Sequence, residues 1–470
     1  MKRKNYIWAL VAGFCLFAAC DDEDYRDPSA IVGNYISEYR ELLISAEEGW
    51  RFDYYPNEDA YGAFTFMMKF REDGRVEMQS DENFYNLFEE EREDYGVQES
   101  DYTIQNSQGP VLTFATYSLL SKLADPEVFT NGSGWQGDNE FVLMGHSADG
   151  DTIHLKSVRA QKRCYIVRNR QNWEDYFEQI NRVIRDFENA GAANTYFRDI
   201  VVADQDTGVL TGFNMTSRMG VVYYYQGKQM QADSCQLFFT PEGVQLRRPV
   251  RVGNTLVRSF DYNDGKFHVN GNPDSYVEVA AGGRPKMTFD VRDKVFRGRY
   301  EVEQDGEVLE ESDLYFIDTN PVGSDDEWDK LWDGLKSYLY MVLIPDVTGK
   351  YYVDLYDQRP DSTNQSTVVL ARCGFNHVWS GTAVDEITFR GVDNSMSFLG
   401  TDTESGEYEA NTPVAKEFAS VIRTLYSDYL KSLFGTFSKR INCVVVPSPD
   451  GEYFYFVNKA DGSYLRIMKF

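Results

Sequence analysis

The chain contains four histidines, and no two of them have the helical spacing of an HExxH zinc site: His146, His154, His268 and His377. His146 and His154 flank the turn at residues 147–151, where exposed histidines are the ordinary expectation. A site that combines these two with a distant carboxylate stays open. The same turn lacks the remaining ligands of an EF-hand loop. We therefore expect no metal ion and no other cofactor.

Motifs of the common enzyme classes are missing from the sequence. It has no G-x-S-x-G nucleophile elbow, no Walker loop and no Rossmann fingerprint between a strand and a helix. With 75 acidic residues, some carboxylate pair must have the separation that glycoside hydrolysis requires, so the existence of such a pair carries no information. The sequence assigns no catalytic residue.

Six cysteines are present, and their spacing is wide and irregular. Cys15 and Cys20 lie near the amino terminus, which leaves Cys164, Cys235, Cys373 and Cys443. Without a CxxC or Cys/His pattern, zinc is not indicated. The alternatives are two disulfides in an oxidising compartment or four buried free thiols. Free thiols are favoured because each cysteine lies in an apolar or strand-like run.

The first residues have the pattern of an export signal. Lys2, Arg3 and Lys4 precede an apolar run at residues 6–19 that is too short to span a bilayer comfortably. The run ends in Phe-Ala-Ala-Cys, which resembles a bacterial lipobox with Cys20 as the lipidated residue. The alternative is an ordinary signal peptide followed by an incidental cysteine. We expect a lipoprotein of the outer membrane, held through Cys20 at the cell surface or on the periplasmic face.

An acidic tether follows the expected lipid anchor. Residues 21–24 read Asp-Asp-Glu-Asp, which looks like the export signal that sends some lipoproteins to the cell exterior, or is a solvated spacer. Removal of the basic leader lowers the formal charge from −28 to about −31. This acidity argues against nucleic acid or anionic headgroups as partners.

Apolar periodicity predicts four helices. The first begins after Pro28-Ser29, and the second carries Trp173, Phe177 and Phe187 on one face. The third has a capping box at Ser324 and an aromatic stripe, and the fourth begins at residues 412–413. The stripe of the third helix suits sugar stacking or partner docking, but more often such a face covers a sheet.

Alternating strands separated by Asp-Gly turns fill the remaining chain. Such pairs occur at residues 73–74, 149–150, 264–265, 305–306, 450–451 and 461–462, and Asp-Gly tolerates the positive φ of tight hairpins. We predict an α+β, mainly β fold of two or more antiparallel units, lipocalin-like or open barrels, with about four linking or covering helices. Residues 66–78 and 236–246 look alike and hint at an internal repeat.

The pattern divides the chain into consecutive segments. We expect a signal peptide at 1–19, an acidic lipid tether at 20–28, and a helix with the first β-rich domain at 29–168. A linking helix at 169–192, a second β-rich domain at 193–320 and a helix-containing β region at 321–470 complete the prediction.

Aromatic residues are abundant, with 32 Tyr, 31 Phe and 7 Trp. Exposed Tyr and Trp can stack on sugars or anchor a partner, whereas buried ones fill barrel cores. Two runs are conceivable binding sets: Tyr54, Tyr55 and Tyr61, and Tyr223, Tyr224 and Tyr225. Because neighbouring side chains on a strand alternate faces, at least one of the latter three should point away from the core.

The residues Gly49 to Pro56, with the sequence GWRFDYYP, are followed by Tyr-Gly-Ala-Phe at 61–64, Lys-Phe at 69–70 and Gly74. With residues 114–120 and Asp-Pro at 125–126, they resemble a family of uncharacterised outer-membrane lipoproteins known only as a domain of unknown function. The resemblance extends over nearly all of the mature chain. It implies an accessory role beside starch-utilisation-type uptake systems, which pair a TonB-dependent transporter with a substrate-binding lipoprotein. It offers no site residues.

Together these features predict a non-enzymatic accessory binding component of an outer-membrane nutrient uptake system, with a glycan or peptide ligand. The alternatives are a hydrolase that acts on the imported nutrient and a structural subunit of the transporter complex. A hydrolase would show converging carboxylates or histidines with perturbed pKa values, a binder a groove lined by Tyr and Trp, and a subunit a broad apolar patch.

Overall fold

A computed structural model describes most of the protein. It covers residues 28–57, 59–82, 96–107, 109–115, 118–126, 134–189, 191–203, 206–304, 307–317, 339–345, 350–357, 368–391, 435 and 439–469. The chain divides into two compact units, Met1–Glu178 and Gln179–Phe470. Cys20, the leader and most of the acidic tether lie outside the described residues.

Unit 1 contains a closed barrel of eight antiparallel strands, in which each strand pairs with its neighbour in sequence and β1 pairs with β8. The strands are β1 Trp50–Tyr54, β2 Phe64–Phe70, β3 Arg75–Ser80, β4 Gln98–Asn106, β5 Pro110–Phe114, β6 Glu140–His146, β7 Thr152–Ser157 and β8 Arg163–Arg168. Helix α1, Pro28–Ile44, precedes the barrel, and the short helix α2, Leu119–Ala124, lies between β5 and β6. Helix α3, Trp173–Glu188, follows, and the boundary between the units falls within it.

Unit 2 contains two more closed eight-stranded barrels of the same meander type. Barrel 2 is formed by β9 Phe197–Val201, β10 Thr207–Asn214, β11 Met219–Gln226, β12 Gln229–Thr240, β13 Gly243–Val252, β14 Thr255–Asn263, β15 Lys266–Val269 and β16 Tyr276–Val279. A single 3₁₀ turn, Ala281–Gly283, and a two-stranded sheet of β17 Arg299–Gln304 and β18 Glu307–Ser312 follow. Barrel 3 is formed by β19 Tyr315–Ile317, β20 Leu339–Pro345, β21 Tyr351–Asp357, β22 Val368–Trp379, β23 Glu386–Gly391, β24 Ile441–Pro447, β25 Tyr453–Asn458 and β26 Tyr464–Lys469.

Each barrel core includes an apolar side chain from the segment that precedes the barrel. In barrel 1 it is Leu43 of α1, whose carbonyl accepts a 2.9 Å hydrogen bond from Trp50 Nε1. In barrel 2 it is Phe187 of α3. In barrel 3 it is Phe296, which stacks among the rings of Tyr351, Phe389 and others. The closed sheets therefore enclose packed side chains.

Barrels 2 and 3 share one hydrophobic core within unit 2. Tyr223 donates its hydroxyl proton to the Pro447 carbonyl across this contact. Asn194 Nδ2 donates to the Asn458 carbonyl at 3.1 Å. The two barrels therefore pack as one body.

The mainly β, antiparallel and lipocalin-like expectation is confirmed, and the barrels are closed where open ones were an alternative. The described residues contain three helices, fewer than the four that were expected. The first two predicted helices are α1 and α3, the third and fourth lie largely or wholly outside the described residues, and α2 was not predicted.

The Asp-Gly hairpins at residues 73–74, 149–150, 264–265, 450–451 and 461–462 join consecutive paired strands as predicted, and the pair at 305–306 lies outside the described residues. One architecture recurs along the chain, since all three barrels have eight antiparallel strands. The two segments that look alike both form paired antiparallel strands. They are not equivalent positions, because β2–β3 are the second and third strands of barrel 1 and β12–β13 the fourth and fifth of barrel 2.

Candidate functional site

A cavity of about 970 Å³ lies beside barrel 2, where α3 ends. Its walls are the last turn of α3, the turn between β14 and β15, and the strands β15 and β16. The volume is at the upper end of the range of small-molecule pockets, and the lining mixes polar and apolar groups. This cavity is the candidate functional site.

The floor of the cavity is apolar because Phe187 enters the end of barrel 2. Its ring centroid lies 5.3 Å from that of Phe213, 5.6 Å from Phe239 and 5.2 Å from Phe267, each in an edge-to-face arrangement. Such pairs stabilise beyond the area that they bury. Phe187 and Phe267 are the members of this cluster that line the cavity.

Arg198 on β9 fixes the end of α3 over this floor. Its guanidinium donates to the carbonyls of Phe187 and Glu188 at the helix end and to that of Thr195, over 2.8 to 3.3 Å. A cation at this position satisfies carbonyls that have no partner within the helix and complements the helix dipole. Burial lowers the pKa of Arg198 to about 10. Arg198 is therefore a structural clamp.

The two carboxylates of the cavity already have partners. Asp186 accepts a hydrogen bond from the Tyr262 hydroxyl, and this bond raises the pKa of Tyr262 above its usual value. Glu278 Oε1 accepts from Lys286 Nζ at 2.7 Å, and the same ammonium lies 3.2 Å from the Tyr276 hydroxyl. These contacts do not form a pair of carboxylates that face one scissile bond.

Three other ionisable side chains in the lining are uncommitted: Arg185, Lys266 and His268. Within the described part of the chain, none of them has an ion pair or a side-chain hydrogen bond, and the Nδ1 atom of His268 is buried. Sequence reasoning counted His268 among the histidines but missed its place in a cavity. No signal in the sequence links residue 268 to the end of α3, which lies far earlier in the chain, and only the folded chain brings them to one cavity.

The other histidines lie elsewhere. His146 Nε2 is 3.0 Å from Glu38 Oε1 of α1, and the hydrogen bonds that the ring donates to the Ser147 carbonyl and to Glu38 raise the pKa of His146. His154 is exposed on β7, and His377 stacks on Phe296 at 5.2 Å, where burial lowers its pKa to about 4. Over the residues that the structure describes, no three His, Cys, Asp or Glu side chains form a metal-binding group.

Cys164, Cys235 and Cys443 are free thiols, so the favoured expectation is confirmed for these three. Cys235 and Cys443 are buried, but Cys164 is only half-buried, which corrects the expectation of full burial. Burial raises the pKa of Cys164 and of Cys235 to about 12. Thiols with so little thiolate are poor nucleophiles. The side chain of Cys373 is outside the described set.

In the two tyrosine sets, Tyr55 and Tyr61 are half-buried, the Tyr61 hydroxyl donates to the Gly134 carbonyl, and the other members have structural contacts. Tyr54 is buried, and its hydroxyl accepts from the Asp138 amide at 2.9 Å. Tyr224 points into barrel 2 and donates to Asp233, whereas Tyr223 and Tyr225 face the other way, where they donate to carbonyls of unit 2. The alternation is confirmed, but the outer face of β11 packs within unit 2 and offers no binding surface.

A shallower pocket of about 280 Å³ lies in unit 1 beside Trp173. Its rim includes Lys69, Gln79 and Glu48, and the indole Nε1 of Trp173 donates to the Glu48 carbonyl at 2.8 Å. The described structure contains no helix that is both long and apolar enough to cross a bilayer.

Comparison with known proteins gives one family. The family described as Domain of unknown function (DUF4302) matches residues 26–264, just over half of the chain. The chain belongs to the DUF4302 family. No curated protein and no solved structure is significantly similar to it.

The DUF4302 match confirms the expected resemblance to a family of unknown function, but it covers less than the nearly complete mature chain that was expected. It spans α1, barrel 1, α3 and the strands β9–β14. It therefore includes one wall of the cavity, with Arg185 and Arg198, and ends just before the other wall, β15 and β16.

Proposed function

We propose that the protein is a lipid-anchored, non-enzymatic accessory binding component of an outer-membrane nutrient uptake system, and that it binds a glycan or peptide ligand in the cavity beside barrel 2. The observation that carries the proposal is the cavity itself, with about 970 Å³ of space and an apolar floor. Uncommitted polar groups converge on the same space, which is the usual composition of a ligand site.

A binding role fits the contacts better than catalysis does. Asp186 and Glu278, the carboxylates of the lining, are held by Tyr262 and Lys286. The described thiols lie in sheets, and burial raises their pKa values. A hydrolase would need an acid and a base that face one bond.

The test is equilibrium binding of purified protein to a panel of oligosaccharides and peptides, with product analysis of the same mixtures. A blocking variant, Lys266→Trp, places an indole at the cavity rim. The matched control is Lys228→Trp, because Lys228 is also exposed beside a hairpin turn but lies at the opposite end of barrel 2.

We expect saturable binding without product formation, loss of binding in Lys266→Trp, and wild-type affinity in Lys228→Trp. Turnover of any panel member would replace the proposal with the hydrolase alternative. Equal affinity in both variants would place the site elsewhere, with the Trp173 pocket as the next candidate.

The membrane part of the proposal rests on the basic and apolar leader and on Cys20. We expect radiolabelled palmitate to enter the protein in its host and to be lost in Cys20→Ser. A label that persists in Cys20→Ser, or a mature protein with an unmodified Cys20, would refute lipid anchoring. Co-purification with a TonB-dependent transporter would support the proposed partner, and recovery of the protein alone would argue against it.

A further inference from the structure

The cavity beside barrel 2 differs in charge from the protein as a whole. The chain has 75 acidic and 47 basic residues. The described lining carries three basic and two acidic side chains, in addition to His268. The charged side chains of the lining are therefore net positive, although the protein as a whole is acidic. Low-dielectric walls strengthen the electric field inside such a cavity.

Most of the charge in the lining that has no partner is cationic. Glu278 is paired with Lys286, Asp186 accepts from the neutral Tyr262 hydroxyl and keeps its charge, and Arg198 donates to main-chain carbonyls. Arg185 and Lys266 have no such partner among the described residues. A ligand that enters the cavity therefore meets two unpaired cations and one carboxylate, Asp186, without a cationic partner.

His268 also lines the cavity. Its Nδ1 atom is buried and makes no hydrogen bond with any part of the chain that the structure describes. Because this atom has almost no accessible surface, the contact with a ligand is assigned to Arg185 and Lys266, which are exposed.

The strands of the cavity wall leave no main-chain edge for an extended peptide. β15 pairs with β14 and β16, and β16 pairs in turn with β9. Strand addition, a common mode of peptide recognition, requires an unpaired edge. A peptide therefore cannot add as a strand at this wall, and a ligand is recognised by side chains, which suit the hydroxyl and carboxylate groups of a glycan.

We propose that the cavity beside barrel 2 binds an acidic glycan, with Arg185 and Lys266 contacting a uronic acid carboxylate. A planar guanidinium matches a carboxylate in a two-point contact, and an ammonium adds a point charge. This inference rests on the binding role proposed above and narrows its ligand class.

The test uses three probes of matched length: oligouronate tetrasaccharides, the same tetrasaccharides after methyl esterification, and tetraglutamate. Esterification removes the charge and keeps the sugar. We expect the acid forms to bind most tightly and their affinity to fall as ionic strength rises.

Charge-removing variants locate the contact. Arg185→Gln and Lys266→Gln should each weaken binding of the acid form by about fivefold, the range of a partly exposed ion pair. Lys266→Arg should retain binding, and Lys228→Gln, at the other end of the barrel, should leave it unchanged.

Equal affinity for acid and ester forms, still blocked by Lys266→Trp, would overturn the anionic assignment and leave the binding role intact. Tighter binding of tetraglutamate would overturn the choice of a glycan. Absence of binding by every oligosaccharide and peptide tested would overturn the proposed function as well.

Discussion

Phe187 offers a direct test of how barrel 2 is held together. Its side chain is 3% exposed and contacts the rings of Phe213, Phe239, Phe260 and Phe267. Replacement of a fully buried Phe by Ala costs about 3–5 kcal/mol. Because the Arg198 guanidinium also lies 4.9 Å from the Phe187 ring, its cation–π contact is lost too.

We therefore expect Phe187→Ala to lower the free energy of unfolding of unit 2 by about 4 kcal/mol. With a urea m-value of about 2 kcal/mol/M, the midpoint of that transition would fall by about 2 M. Hydrogen exchange followed by mass spectrometry locates the change. Core amides of β9–β16 should exchange about a thousandfold faster, whereas those of β1–β5 should keep their protection.

Two variants calibrate this measurement. Phe187→Leu keeps most of the buried volume and should cost less than half as much. Tyr165→Ala, at a position that is 53% exposed on β8, should change stability by less than about 0.5 kcal/mol. A loss below about 1 kcal/mol in Phe187→Ala, or faster exchange spread evenly over both units, would contradict the role of Phe187 as a core residue of barrel 2.

Two further predictions concern titration and reactivity. Burial lowers the pKa of His377 to about 4 in the folded protein. As the pH falls from about 6.5, the imidazole is therefore protonated in the unfolded chain before it is protonated in the folded protein. Stability should therefore drop by up to about 3 kcal/mol between pH 6.5 and 4. Urea midpoints at both pH values should show that His377→Phe loses this pH-dependent part of the stability and that the exposed-site variant His154→Gln keeps it. Native Cys235 and Cys443 should resist a thiol reagent at pH 8 and react after unfolding, because burial raises the pKa of both thiols. Rapid labelling of the folded protein would refute their burial.

Local features of the fold were predictable from the sequence. Asp-Gly pairs identify hairpins because positive φ is required at a tight turn, as at Gly265 with φ of +76°. The apolar stripe of α3 was equally clear, and it contains Phe187. These signals involve residues that are close in sequence, and they gave strand order within each meander.

The closure of the barrels and the cavity were not predictable in this way. Closure depends on pairing between β1 and β8, or between β9 and β16, which are separated by the length of the barrel. Arg198 looked like an ordinary charged strand residue, and only the folded chain places its guanidinium on the end of α3. Lys266 and His268 likewise come to line one cavity with Arg185 only when β15 lies beside that helix.

The closed pairing of barrel 2 bears on how the protein can be divided for expression. A fragment trimmed to the DUF4302 match would stop at residue 264 and lose both β15 and β16. The sheet would then have six strands, and β14 and β9 would each have an unpaired edge. Exposed strand edges promote aggregation. The shortest fragment that contains every strand of barrel 2 must extend at least to Val279.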